Sequence, residues 1–228
     1  MPLTLAVSIE QPPWRLSGTV YGTLLNHRSA LAALGAAVDE PPYRGAPRAP
    51  VLYVKPRNTL AGDGDSVIVP AGICELEIGA SLAIVIGRTA CRVSEARALE
   101  HVAGYLIVND VSVPHASYYR PSIRFKARDG FCPLGPHLTT AAAIANPDAL
   151  SIGVHIDGRL CLSASTCDLI RPVARLLADV TEFMTLAPGD VLAVGAAAPA
   201  PRVRAGQRVR IEIEGLGSLT NAFTGERA

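Results

Sequence analysis

The side chains best placed to do chemistry fall in two short basic clusters, Arg120 to Arg128 and Arg202 to Arg210. The first holds Arg120, Arg124, Lys126 and Arg128, with Tyr119 at its edge. Guanidinium forks bind carboxylates in bidentate fashion, so such a cluster builds a pocket for an anionic substrate. The same residues also make an ordinary solvated basic surface, and both readings stand for each cluster. His101, His115, His137 and His155 show no ligand spacing and read as structural or exposed. The cysteines, Cys74, Cys91, Cys132, Cys161 and Cys167, are odd in number and none forms a CxxC pair. They read as reduced thiols, not as a disulfide framework or a zinc site.

Bulk composition narrows the setting. The chain has 228 residues, 49% hydrophobic and 18% charged, enough to bury a core as one domain over 1–228 with 1–17 as an extended lead-in. A net charge of +1 gives no basic footprint for nucleic acid. Met1 to Pro13 lacks a positive start and a long apolar run, so no export signal is expected there. The longest apolar runs, such as Leu82 to Ile86, are far shorter than the ~20 residues a bilayer needs. A cytoplasmic protein with no membrane partner is the expectation.

The elements that must carry these residues are mostly strands. Ser81 to Gly87 (SLAIVIG) is continuously apolar, which predicts a strand buried on both faces. Thr19 to Leu25, Val51 to Lys55 and Tyr105 to Val108 are further strands, the last ending at Asn109-Asp110. Asp157-Gly158 between Leu150–Ile156 and Leu160–Ser163 predicts a hairpin. Three helices are expected: Ser29 to Val38; Glu95 to Ala103, capped by Ser94 and closed by Gly104; and Arg171 to Thr185. Apolar residues recur at helical spacing in the last of these, and Asp168 before it reads as its N-cap. Val111 to Pro136 reads as a long polar and aromatic loop. Val191 to Gly195, Gln207 to Ile213 and Leu216 to Asn221 complete the strands. Many short strands with few helices predict a β-rich α+β domain.

Four stretches together resemble the fumarylacetoacetate hydrolase family: SLAIVIGRTACRVSEARALEHVA (81–103), GYLIVNDVS (104–112), KARDGFCPLGP (126–136) and EFMTLAPGDVLAVG (182–195). With GTVYGTLLNHRSAL (18–31) and KPRNT (55–59) the resemblance runs over nearly the whole chain. It implies a mixed β-roll with short helices, and assembly into homo-oligomers or hetero-oligomers with a sister subunit. Leu25 to Ser29, Tyr119-Arg120-Pro121 and Arg128 to Pro133 point to the isomerase/decarboxylase branch of 4-hydroxyphenylacetate degradation. That branch implies a small dicarboxylic 2-oxo or enol acid as substrate: a 2-hydroxy-2,4-diene-1,7-dioate or a 5-carboxymethyl-2-oxo-hex-3-ene-1,6-dioate. Its members occur as two related halves, so a non-catalytic subunit that assembles with a metal-binding sister is the alternative. An acylpyruvate-type hydrolase is the second alternative.

The family chemistry runs through an enolate stabilised by Mg2+ or Mn2+, held by an E-x-E pair and an Asp. Asp110 matches that Asp, but Gly79 and Ser81 stand where the two glutamates belong. Glu75 and Glu77 form an E-x-E four residues early, roughly 13 Å along a strand. A metal on Glu75, Glu77 and Asp110 is one reading; a solvated strand end is the other. The family's water-activating lid His is replaced by Ala30, which argues against C–C hydrolysis and leaves His27 as an acid–base candidate or a structural histidine. Ala196-Ala197 replace a Thr-Pro that holds a substrate carboxylate. Lys126 matches a lysine facing the substrate; it and Asp110 are the expected catalytic pair, with Arg120, Arg124, Arg128 and Tyr119 as substrate contacts.

Overall fold

The computed structural model describes residues 18–115, 117 and 122–226. Tyr119 and Arg120 lie outside the described residues. Among the described residues there are fourteen strands: β1 (Val20–Leu24), β2 (Val51–Lys55), β3 (Leu60–Ala61), β4 (Ser66–Val69), β5 (Leu76–Glu77), β6 (Ala80–Ile86), β7 (Val102–Asn109), β8 (Cys132–Thr140), β9 (Ser151–Ile156), β10 (Arg159–Ser165), β11 (Val191–Ala193), β12 (Arg202–Val203), β13 (Arg208–Ile213) and β14 (Gly217–Gly225). Three α-helices accompany them: α1 (Arg28–Ala32), α2 (Ile123–Lys126) and α3 (Val173–Phe183). None is long and apolar enough to cross a membrane.

A seven-stranded mixed sheet runs β2-β1-β11-β6-β7-β8-β3, and a five-stranded sheet runs β10-β9-β13-β14-β4. Strands β2 and β3 sit at opposite edges of the larger sheet, yet only residues 56–59 join them. Such a connector reaches at most roughly 18 Å. Seven flat strands would set their outer members roughly 29 Å apart. The sheet must therefore curl into a roll, and the short KPRNT turn enforces the curl. As a result β2 comes against the far side of the sheet, where the site is built.

The apolar run predicted over 81–87 is the central strand β6, buried at every position. Its side chains alternate between two cores. Leu82, Ile84 and Ile86 pack into the large cluster shared with the five-stranded sheet, while Ala83 and Val85 pack into a smaller one lined by β7, β8 and β11. The alternation follows from the period of two, and burial of both faces explains why Ser81, whose hydroxyl is hydrogen-bonded, is the one polar residue in the run. The Asp157-Gly158 hairpin forms between β9 and β10 as expected.

Several elements differ from the sequence reading. The helix expected over 29–38 stops at Ala32, and Gly35 at φ +53° separates it from a 3-10 turn at Gly35–Val38. The segment Glu95–His101 is 3-10, with no side-chain cap from Ser94. Gly104 is not a helix terminator but a β7 residue, where a Cβ would collide with the Thr139 carbonyl of β8. The expected loop after residue 111 gives way to β8 at Cys132. Asp168 does not cap α3; Asp148 does, its Oδ1 accepting from the Val173 N–H at 2.8 Å. A cap from a separate loop leaves no local signature.

Candidate active site

Strand β2 is short, and Tyr53 and Lys55 are two apart, so both point to the same face. Tyr53 crosses over Gly22 of β1, its register partner, where any side chain would overlap the phenol ring. This glycine lets Tyr53 reach Asp110 at the end of β7, and the two form a short hydrogen bond. Lys55 Nζ lies 2.7 Å from Asp110 Oδ1 and donates to the carbonyls of Val111, Lys126 and Phe131 at 2.8–2.9 Å. Lys126, the last residue of α2, places its Nζ 2.6 Å from Asp110 Oδ2 and 4.9 Å from the centre of the Tyr53 ring. Lys55 is 3% exposed, Lys126 6% and Asp110 7%, so this is a buried cluster of one carboxylate between two ammonium groups.

Burial by itself would raise the Asp110 carboxyl. The adjoining charges of Lys126 and Lys55 outweigh it and hold the group well below the ordinary carboxylate range. Burial lowers Lys55, with Asp110 opposing the shift. Burial, reinforced by the Asp110 charge, lifts the Tyr53 phenol well above its ordinary value. Asp110 is thus a fixed anion that orients Lys126, and too weak a base to take up a proton near neutrality.

A cleft of about 260 Å³ opens above the cluster. Asp110 and Lys126 form part of its floor, with Gly79, Ser112 and His115 beside them. Leu24, Leu25, Ala30 and the Ala196–Ala200 segment make an apolar wall, and Glu77 and Arg202 stand at another side. That volume suits a small acid and not a dinucleotide.

Among the described residues, the structure places His27, Arg124, Arg128 and Glu75 away from this floor. His27 does not line the cleft; it caps α1, its Nδ1 accepting from the Ser29 N–H at 3.3 Å and lying 2.8 Å from Ser29 Oγ. Burial lowers its pKa, opposed by the Ser165 carbonyl and Asp168. Arg124 is exposed. Arg128 and Asp129 line a different groove of about 820 Å³, beside Ser66, Ile68 and Phe131. Glu75 is drawn outward by Arg204, with contacts of 2.7 and 2.9 Å. Glu77 alone of the early E-x-E reaches the cleft. The sequence reading missed Tyr53 and Lys55, and it named Arg202 only as the start of a basic cluster with two open readings. The only signal for the first pair was two polar residues at strand period inside Val51–Lys55.

These donors do not fit a divalent metal. Both Asp110 oxygens are taken by ammonium groups. Ser81, at one family glutamate position, donates its Oγ to the Leu82 carbonyl and accepts from the Gly195 N–H. Gly79, at the other, faces the Asp110 backbone carbonyl so closely that a Cβ would come within 2.6 Å. Among the described residues no group of three His, Cys, Asp or Glu side chains is arranged to hold a metal. A hard cation needs several free oxygens, and two buried ammonium groups repel it.

Comparison with known proteins agrees with this architecture. The chain is 42% identical over 212 residues to the 4-hydroxyphenylacetate degradation bifunctional isomerase/decarboxylase of Escherichia coli, covering 93% of this chain and 48% of that protein. It therefore spans about half the length of that relative. The solved structure of 5-carboxymethyl-2-hydroxymuconate delta-isomerase from Mycobacterium smegmatis matches with a TM-score of 0.79 and 30% identity, covering 93% of this chain and 81% of the other. Maleylpyruvate hydrolase from Sphingobium sp. SYK-6, solved with manganese(II) and pyruvate, matches with a TM-score of 0.75 and 28% identity over 92% and 71% of the two chains. Residues 19–224 match the model of the fumarylacetoacetate (FAA) hydrolase C-terminal family, and the chain belongs to that family.

Proposed function

We propose that the chain is an isomerase/decarboxylase subunit acting on a small dicarboxylic 2-oxo or enol acid: a 2-hydroxy-2,4-diene-1,7-dioate, or a 5-carboxymethyl-2-oxo-hex-3-ene-1,6-dioate, of 4-hydroxyphenylacetate breakdown. The observation that carries this reading is the Lys126 ammonium, buried, aimed by Asp110 and facing a small cleft. In the isomerisation a proton leaves the 2-hydroxyl and another is added at carbon 5, giving the 2-oxo-3-ene. Negative charge gathers on oxygen 2 along the way. Lys126 Nζ donates to that oxygen and offsets the charge, in a site where burial strengthens the interaction. Asp110 holds the ammonium in place, and Lys55 and Tyr53 hold Asp110. The apolar wall at Ala196–Ala200 excludes water from the diene.

A second reading has an observation of its own. The chain spans about half the length of its isomerase/decarboxylase relative, and among the described residues no three His, Cys, Asp or Glu side chains are grouped to hold a metal. On that reading its main task is to assemble with a metal-binding sister subunit.

An absorbance assay on the purified chain separates the two. Loss of the conjugated 2-hydroxy-diene-dioate band is followed with magnesium, with EDTA, and for Lys126→Ala. Turnover that persists in EDTA and vanishes in Lys126→Ala is the expected result. No turnover above the uncatalysed rate in either condition overturns the stand-alone enzyme and supports the partner role.

A further inference from the structure

The cleft contains a second cation that the catalytic reading leaves unused. Its charged or titratable lining groups, among the described residues, are Glu77, Asp110, His115, Lys126 and Arg202. Asp110 is already neutralised from both sides. Arg202 is the cross-strand neighbour of Glu77 in the β12–β5 pair. Its guanidinium stays 3.6 Å from Glu77 Oε1 and 3.7 Å from Glu75 Oε2, longer than hydrogen bonds. Glu75 takes its close contacts from Arg204 instead. Arg202 is therefore held near the cleft by two carboxylates without being used up by either.

We infer that Arg202 anchors the remote carboxylate of a dicarboxylic substrate, with Glu77 as the tether that the substrate displaces. The inference rests on the isomerase/decarboxylase reading, because it assumes that the oxygen 2 end lies at Lys126. A substrate with a carboxylate at each end needs two separated cations, and among the described residues Lys126 and Arg202 are the two that share this cleft. The planar fork of arginine suits a terminal carboxylate. It also supplies a donor in a cleft where Ala196 and Ala197 offer no hydroxyl. Arg202 is a positioning residue, and its effect belongs in affinity for the second carboxylate, not in the proton transfer.

The test measures binding by calorimetry, with 2-oxoheptanedioate and the mono-acid 2-oxoheptanoate as probes. The wild type is expected to prefer the dioate. In Arg202→Ala that preference falls roughly 2- to 5-fold, the range for a charge pair on a half-exposed side chain, while mono-acid affinity is unchanged. Arg202→Lys restores part of it. Glu77→Gln, which releases the tether, tightens dioate binding. Equal weakening of both probes in Arg202→Ala, no weakening of either, or no dioate preference in the wild type overturns the inference. Turnover is scored separately. Dioate selectivity through Arg202 without turnover sinks the isomerase reading and leaves the anchor standing. Turnover with an unaltered dioate affinity in Arg202→Ala does the reverse.

Discussion

Replacing Asp110 with asparagine keeps the side chain's shape and removes the carboxylate shared by Lys55 and Lys126. Lys55 stays in contact with three backbone carbonyls, but its charge and that of Lys126 then lie close together with no counterion among the described residues. Losing one partner of a buried ion pair costs about 3–5 kcal/mol, against about 0–1 for a surface pair. The higher range applies because all three residues are less than 10% exposed. For a chain of this size the loss lowers the melting temperature by roughly 6–20 °C. The dependence on pH follows from the depressed Asp110 carboxyl. A group with a lowered folded pKa stabilises the protein above its unfolded value, near 3.9, and loses that effect as pH falls through the folded one. The difference between wild type and variant is therefore constant at neutral pH and shrinks below about pH 4. Lys55 works in the opposite sense. Without Asp110 its folded pKa drops further, so the folded state binds fewer protons than the unfolded one and the variant gains stability as pH rises. Urea denaturation between pH 3 and 9 measures all three effects. A cost below about 1 kcal/mol at pH 7 would refute the claim that the cluster is a buried ion pair.

Two further outcomes follow from other parts of the structure. Gly79→Glu, which returns a carboxylate to the family position, is expected to destabilise the chain and gain no Mn2+ affinity by calorimetry, because its Cβ would press on the Asp110 carbonyl; stoichiometric binding in a folded variant would show that the backbone yields. Of the five cysteines, Cys74, Cys91, Cys161 and Cys167 are exposed and react quickly with a thiol reagent at pH 8. Cys132 is buried and its thiol is pushed up to about 12, first by burial, so it reacts only on unfolding; a fifth fast thiol in the native protein would contradict that packing.

Much of the fold was legible because its signals are local. The continuous apolar run of β6 states that both its faces are buried, Asp157-Gly158 states a tight hairpin, and the periodic apolar residues of α3 state which side meets the core. The motif resemblance carried the family, together with Asp110 and Lys126. Elements whose form depends on a distant neighbour were not legible. The segment Glu95–His101 has the composition of an α-helix, yet it must hand over directly to β7, and it winds as 3-10.

The site shows the same division. By its own residues the sequence determined that an aspartate ends β7 and that a lysine lies in a basic stretch after it, while the resemblance to the family implied that Gly79 and Ser81 stand at its two glutamate positions. Only the tertiary structure decided that Tyr53 and Lys55 join them, Tyr53 across a separation of 57 residues from Asp110. It also turned Arg128 toward another groove, placed His27 behind the wall, and brought Arg202 to the cleft. The physical reason is that a lysine in a short strand has the same local pattern whether it faces water or the interior. What buries it is the counter-charge and the carbonyls that wait for it, and these come from elements that meet only because a four-residue connector curls the sheet.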